Sequence, residues 1–586
     1  MTTCVNWKYV KPFCLEQPCL TLSQLDSINI TSNTTLIFLP GNHFLSSNFT
    51  VRNIHWFSMM KSESHISNVT ISCKETVRLT FDSTTSIYIY GLTFVGCKGE
   101  NNRVIELYNS TATFENCSFV ETGGVNISSR SNVSFQGTKF EANCAKYGGA
   151  IASYSGSVIT INKCKFNSNA AINYGGAVYA LDCDIISITG SSFINNLAPS
   201  QGGALHMGHT TTVISDSEFY CNSARVGLGG AVYIWSLHSL SISTSRFCGN
   251  SAYRGSDLRI YWQLNTSITV TINSCNFSKQ RMCTITCLDH GISGDSEAVF
   301  ITDSTTLFNG TEFSGVGGFL DILQYDDATY IDDVNSSMWD MDRDNAVLKV
   351  RGAITSFQSD VLFYGNCTFY KNYAQDGGAL NAVESKVHTY GDILMKENMA
   401  VNSGGGIYLY QSELNCHGNS TLKLKNNTAR IKGGGIYAIS SSIKIIHDGH
   451  HKSTVIFKRN KAQMGGGIYL EASAKLYVLK SNNNQRSKAS LRFKENSANK
   501  GGAMYVDDTN PVLCQRLLHD FQSDSTECFV QVFTLQPKLQ VNTEDNASGL
   551  NIEFTNNFAQ IGHALFGGLL DRCTVSQFAS VNSVRD

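Results

Sequence analysis

The chain has 586 residues, 16% of them charged, with a formal net charge of −2 and a hydrophobic fraction of 42%. This balance offers no bulk basic field for nucleic acid or for an anionic membrane surface. No apolar run reaches the ~18 residues of a membrane-spanning helix, so no transmembrane segment is expected in this chain.

Residues 1–35 read as an N-terminal cap. Cys14 and Cys19 flank Leu-Glu-Gln-Pro, and no charged start runs into an apolar stretch, so no signal peptide is visible. The chain is therefore expected to be part of a longer exported protein, with another export route or an intracellular location as the alternatives. Residues 36–140 carry strands without a complete repeat, such as Leu36-Ile-Phe-Leu-Pro-Gly41 and Ser86-Ile-Tyr-Ile-Tyr90.

From Phe140 the sequence turns periodic. Phe140, Phe166, Phe193 and Phe219 are each followed three residues later by Asn143, Asn169, Asn196 and Asn222. Each then leads to a glycine pair: Gly148-Gly149, Gly175-Gly176, Gly202-Gly203 and Gly229-Gly230, spaced by 27. Between these markers lie short β-branched runs such as Ser157-Val-Ile-Thr-Ile-Asn162. A fixed period built from short strands and turns predicts a parallel β-helix, one coil per repeat. A Phe per coil would form an internal ladder. The Asn would occupy a turn, tolerating left-handed backbone and bonding along the axis. Gly-Gly would supply positive φ or close approach at a corner. The 6 prolines fit a chain whose N–H groups serve in ladders. The first segment of the helix is expected over 36–280.

The motif Phe-x-x-Asn-x-Ala followed by Gly-Gly-Ala-Ile/Val/Leu resembles the repeat of polymorphic outer membrane proteins and of related uncharacterised animal surface proteins. The resemblance covers about 140–260 and 365–570. It implies an all-β, right-handed parallel β-helix (a pectate-lyase-like β-solenoid) at the cell surface or outside the cell, outer-membrane-like if bacterial. Adhesive or structural roles go with it, and its partners would be surface glycans or extracellular proteins.

Residues 281–350 break the period and are read as an irregular Asp-rich insertion. Asp340, Asp342 and Asp344 mimic the start of a calcium loop, but Asn345 and Arg351 stand where Gly and a bidentate Glu are needed. No cofactor is therefore expected, with calcium at these aspartates kept as the alternative. Cys283, Cys287 and His290 fall short of a zinc site. The second helix segment is expected over 351–575, opening with Phe369, Asn372 and Gly377-Gly378, with residues 576–586 as a tail.

The 19 cysteines suit an oxidising compartment. Cys221/Cys248, Cys73/Cys97 and Cys514/Cys528 are candidate disulfides, with a ladder of buried thiols as the competing reading. Candidate glycosylation sites include Asn29, Asn33, Asn48, Asn68, Asn109, Asn126 and Asn132. No nucleophile elbow, zinc-protease motif or phosphate loop is present, so no catalytic residue is assigned. The expected function is a non-catalytic structural or adhesive module. The alternative is a polysaccharide-active lyase or glycoside hydrolase using clustered Asp on the same scaffold.

Overall fold

The computed structural model describes residues 34–62, 68–73, 77–96, 103–235, 238–261, 269–278, 298–302, 304–314, 352–447, 453–472, 474–480, 489–507 and 550–562, with short pieces at 5–7 and 565–567. The chain falls into two compact units. One comprises Met1–Gly294 and Val299–Thr306, the other Asp295–Ala298 and Leu307–Asp586.

Within the first unit, one coil runs through four strands, Ile151–Tyr154, Val158–Asn162, Lys165–Asn167 and Ala170–Tyr174. Each pairs in parallel with its counterpart one repeat on, as Ile151↔Val178, Ile159↔Ile186, Phe166↔Phe193 and Ala170↔Leu197. This is a right-handed parallel β-helix, and the second unit repeats the pattern. Val5–Trp7 pairs antiparallel with Thr34–Phe38, covering the free edge of that first strand.

Alternation within each strand puts one set of side chains inside. Phe94, Phe119, Phe140, Phe166, Phe193, Phe219, Phe247 and Phe277 stack at centroid distances of 4.5–5.0 Å. Each ring contributes roughly 2–3 kcal/mol of burial, and stacking adds about 1 kcal/mol. In the second unit the column reads Phe313, Phe369, Met395, Leu424, Phe457, Phe493 and Phe554.

The Asn column bonds along the axis as expected but does not form the turn. The residue before it takes the left-handed conformation: Ala142, Ser168, Asn195 and Cys221 have φ of 53–58°. The Asn itself does not turn the chain; its side chain is wholly buried and bridges coils. Asn169 Nδ2 donates to Asn196 Oδ1 (2.9 Å) and to the Phe140 carbonyl (3.0 Å). Its Oδ1 accepts the backbone N–H and Nδ2 of Asn143. The same ladder runs from Asn143 to Asn250, and from Asn372 to Asn557 in the second unit. A serine ladder at another corner uses the same logic: Ser385 N–H donates to Ser412 Oγ, and Ser412 N–H to Ser441 Oγ.

The first unit's Asn ladder ends on a carboxyl. Asn250 Nδ2 donates to Asp257 Oδ1 at 2.7 Å. Burial pushes the Asp257 carboxyl up to about 7. Below pH ~4 both folded and unfolded chains carry the proton, and stability is unaffected. As pH rises towards 7 the unfolded chain ionises first and stability falls; above 7 the loss is constant. Asp257→Asn supplies a neutral amide. It is expected to match the wild type at pH 4 and exceed it by about 2–4 kcal/mol at pH 8, read by urea unfolding at the two pH values. Equal stabilities at pH 8 would refute this account of the ladder end.

The section expected to be irregular contains regular strands. Val299–Thr302 pairs with Leu258–Tyr261 in the first unit, and Glu312–Ser314 pairs with Asn366–Tyr370 in the second. The expected boundary at 281 is corrected accordingly: Phe300, Phe308 and Phe313 are buried residues of helical coils. These coils lack the Asn and Gly-Gly markers at the repeat spacing, so the sequence shows no period there.

Candidate binding face of the second unit

The strand after the serine corner shows its outward side chains to solvent, and here the two units differ. In the first unit these positions are Asn132, Ser134 and Gln136, then Val158, Thr160 and Asn162, then Ile185, Ser187 and Thr189. In the second unit they are Asp360, Leu362 and Tyr364, then Lys386, His388 and Tyr390, then Glu413, Asn415 and His417, then Ser442 and Lys444. The first unit's row is thus uncharged, whereas the second unit's carries acids, lysines, histidines and tyrosines.

A groove of about 330 Å³ runs across four successive coils beside these residues. The serine ladder, Ser385, Ser412 and Ser441, lies along it. Glu384, Gln411 and Ser440 form one side, each with positive φ, and Lys386, Glu413, Ser442 and Lys475 the other. Glu384 accepts from Gln358 Nε2 (2.8 Å), and Glu413 is ion-paired with Lys444. Burial works against the Glu413 charge, but hydrogen bonds from Lys444 and Asn415 hold its carboxyl below the ordinary range. Lys386 and Lys475 have no ion pair among the described residues.

Next to the groove, aromatic rings from three coils stack. Tyr364 and Tyr390 lie 4.7 Å apart, Tyr390 and His417 4.2 Å. His388 Nδ1 and His417 Nε2 are 2.9 Å apart with ring centroids at 5.2 Å and planes 22° apart. The excess of the centroid distance over the N···N distance is about two imidazole radii, so the rings meet edge to edge in a true in-plane hydrogen bond. Burial lowers both histidines below the ordinary value, and His388 lowers His417 further. Both are therefore neutral at pH 7, one donating and one accepting. Asn415, in register between His388 and Lys444 on the neighbouring coils, is 4% exposed, and its Oδ1 has no hydrogen-bond partner among the described residues.

A second polar row lies at a different corner. Tyr408, Tyr437, Tyr469 and Tyr505 stack at 4.7–5.6 Å. Glu471 accepts from Tyr437 Oη (2.8 Å) and Lys432 Nζ (2.6 Å), and Asp507 accepts from Tyr469 Oη (2.6 Å). Burial and these carboxylates push the Tyr437 and Tyr469 phenols above their ordinary value, keeping them as donors. The groups are committed to one another, which seals the corner.

The repeat residues Phe140 to Gly230, and Phe369, Asn372, Gly377 and Gly378, all sit in the core or at corners and touch no groove. Cys73, Cys221 and Cys248 are disulfide-bonded. Cys97, Cys514 and Cys528 lie outside the described residues, as do Asp340, Asp342, Asp344, Asn29 and Asn33. The recurring Cys117, Cys164, Cys275 and Cys367 are free and buried. Burial pushes Cys117 and Cys164 to about 12 and Cys275 and Cys367 to about 11, so they are inert packing groups. Asn48, Asn68, Asn109 and Asn132 are exposed and Asn126 is part-exposed. Among the described residues no group of three or more His, Cys, Asp or Glu is placed to hold a metal. No described helix is long and apolar enough to cross a membrane.

No protein-family model matches the chain, and no curated protein sequence matches it. The polymorphic outer membrane protein resemblance thus rests on the repeat motif alone, and what it implied about fold is what the strand pairings show. Among solved structures, a PL6 family alginate lyase, AlyGC, matches at 8% identity over 79% of this chain and 98% of its own, with a TM-score of 0.21. A mutant of the same enzyme matches at 10% identity over 84% and 97%, with a TM-score of 0.19. Likenesses this slight carry no argument about chemistry.

Proposed function

We infer that this chain is a non-catalytic β-solenoid, extracellular or at a cell surface, that holds glycans against the outer face of its second unit. The observation that carries the reading is the groove over four coils. It presents serine, glutamine and two unpaired ammonium groups, with a pair of neutral imidazoles beside it, where the first unit presents uncharged polar and aliphatic side chains. Such donors and acceptors, flanked by ring edges, suit a hydroxyl-rich chain lying along the axis. Its two carboxylates, Glu384 and Glu413, are already bonded, which leaves no free acid–base pair there. The disulfides at Cys73, Cys221 and Cys248 support an oxidising compartment.

The test is retention on a panel of neutral and acidic polysaccharides by affinity electrophoresis, with chain shortening assayed in parallel, with and without calcium. Retention without shortening is expected. Paired substitutions Lys386→Gln and His388→Ala should weaken retention on the neutral polysaccharides about 10-fold, the loss of roughly 1.4 kcal/mol. Chain shortening would overturn the non-catalytic reading and direct attention to Glu471 and Asp507, in register on adjacent coils. Retention indifferent to both substitutions would remove the groove from the account.

A further inference from the structure

Lysines are stacked on another face of the second unit. The strands that supply the inner Phe column are Asn366–Tyr370, Asp392–Lys396, Thr421–Lys425, Thr454–Lys458 and Ala489–Lys494. The residue after each inner side chain points outward, and the register aligns Tyr370, Lys396, Lys425, Lys458 and Lys494 in one column. Four ammonium groups thus recur on four successive coils, at a rise of about 4.8 Å. Lys423 and Arg492 stand one column over. The corresponding column of the first unit holds Val120, Glu141, Asn167, Ile194, Tyr220 and Cys248, with no lysine.

Directly opposed like charges destabilise a sheet, so the fold does not call for this column. Its two ends are partly neutralised: Lys396 pairs with Glu397 (3.1 Å), and Lys494 with Glu495 (3.7 Å). Lys425 and Lys458, in the middle, have no ion pair among the described residues. The surplus is regional: residues 386–500 contain 18 Lys and Arg against 6 Asp and Glu, in a chain of net charge −2.

We propose that this column binds an anionic polysaccharide laid along the helix axis, with successive carboxylate or sulfate groups meeting Lys396, Lys425, Lys458 and Lys494. An extended pyranose chain advances by about one coil rise per sugar, so one charge per sugar meets one charge per coil. Single-stranded nucleic acid fits less well, because its binding surfaces interleave aromatic platforms with the cations. Among the described residues the only ring in this column is Tyr370, with Lys371 and Lys396 already over it at 5.0 Å each. The inference takes its choice of polymer from the glycan-binding reading, but its site is separate from the groove.

The test compares the full chain with two variants, Lys425→Gln/Lys458→Gln in the column and Lys386→Gln/Lys475→Gln in the groove. The probes are polygalacturonate, its methyl ester, dextran sulfate and a single-stranded polynucleotide. Polygalacturonate or dextran sulfate is expected to bind, more weakly as salt rises. The column variant should weaken that binding roughly 10- to 30-fold and the groove variant by less than about 2-fold. The column variant should also melt no lower than the wild type in low salt, because it relieves repulsion; this separates lost binding from lost folding. Polyanion binding untouched by the column variant, equal binding of the methyl ester, or tighter binding of the polynucleotide would each overturn the proposal. Groove-independent retention with a column-dependent polyanion site would sink the groove reading alone.

Discussion

Gly203→Ala is expected to cost more than about 4 kcal/mol and to abolish protection of the coils around it. A Cβ at Gly203 would lie 2.0 Å from the Gly230 carbonyl oxygen and 2.5 Å from the Ser223 nitrogen. Both are backbone atoms of the next coil, and neither can swing aside as a side chain could. The corner would have to open against the hydrogen bonds that hold it, Gly203 N–H to the Gly229 carbonyl and Ser223 N–H to the Asn196 carbonyl. Overpacking a corner made of backbone exceeds the 1–3 kcal/mol usual for cores. Gly190→Ala is the control. Gly190 has φ 58° but meets only the Lys163 Cγ, at 3.5 Å. Lys163, Asp216 and Thr244 hold the same turn in other coils with φ of 46–53°. That substitution should cost about 1 kcal/mol. Hydrogen exchange across residues 196–232 reads both. If Gly203→Ala protects as well as Gly190→Ala, close approach is not the reason for the second glycine.

Asn196→Ala carries the next largest effect, about 3–4 kcal/mol. Asn196 Nδ2 donates to the Phe166 carbonyl (3.1 Å) and to Asn222 Oδ1 (2.9 Å), while its Oδ1 accepts both Asn169 N–H (3.0 Å) and Asn169 Nδ2 (2.9 Å). Removing the amide breaks four buried hydrogen bonds at once; Asn222 Oδ1 keeps the residue-196 N–H and Asn169 Nδ2 keeps the Phe140 carbonyl, but the Asn169 N–H loses its ladder acceptor, and each unsatisfied group costs about 1–3 kcal/mol before the coil relaxes. Asn196→Asp separates hydrogen bonding from volume. A carboxylate presents a lone pair where Nδ2 faced two oxygens, so its folded pKa must rise above the unfolded one. The substituted chain should therefore be least stable above that raised value and recover as the pH falls. Asp257, at the end of the same ladder and raised to about 7, shows the environment acting on a natural carboxyl. Urea unfolding of both variants at pH 5 and pH 8 checks the pair; an Asp variant with no pH dependence would mean the ladder is not buried as described.

The repeat was legible because its markers face constraints that do not change from coil to coil. A ring must stack on a ring, an amide must bond an amide, and a corner without room for Cβ must be Gly. The role of the Asn was only half legible: residue type implied a turn, whereas the turn belongs to the residue before it. Nothing local in the sequence marks Asp257 as the last rung of the ladder. The two outer faces of the second unit were not legible at all. Lys396, Lys425, Lys458 and Lys494 are spaced by 29, 33 and 36 residues, and His388 and His417 by 29.

What the sequence determined by itself is the coil: its strands, its parallel stacking and the identity of its inner ladders, since each follows from local sterics and hydrogen-bonding capacity repeated at a near-constant interval. What only the tertiary structure decided is which outward residues share a column. Loops of unequal length restore the same register at every turn, so spatial neighbours sit at unequal sequence distances. The groove beside Lys386, the edge-to-edge histidines and the lysine column exist only once the coils are stacked.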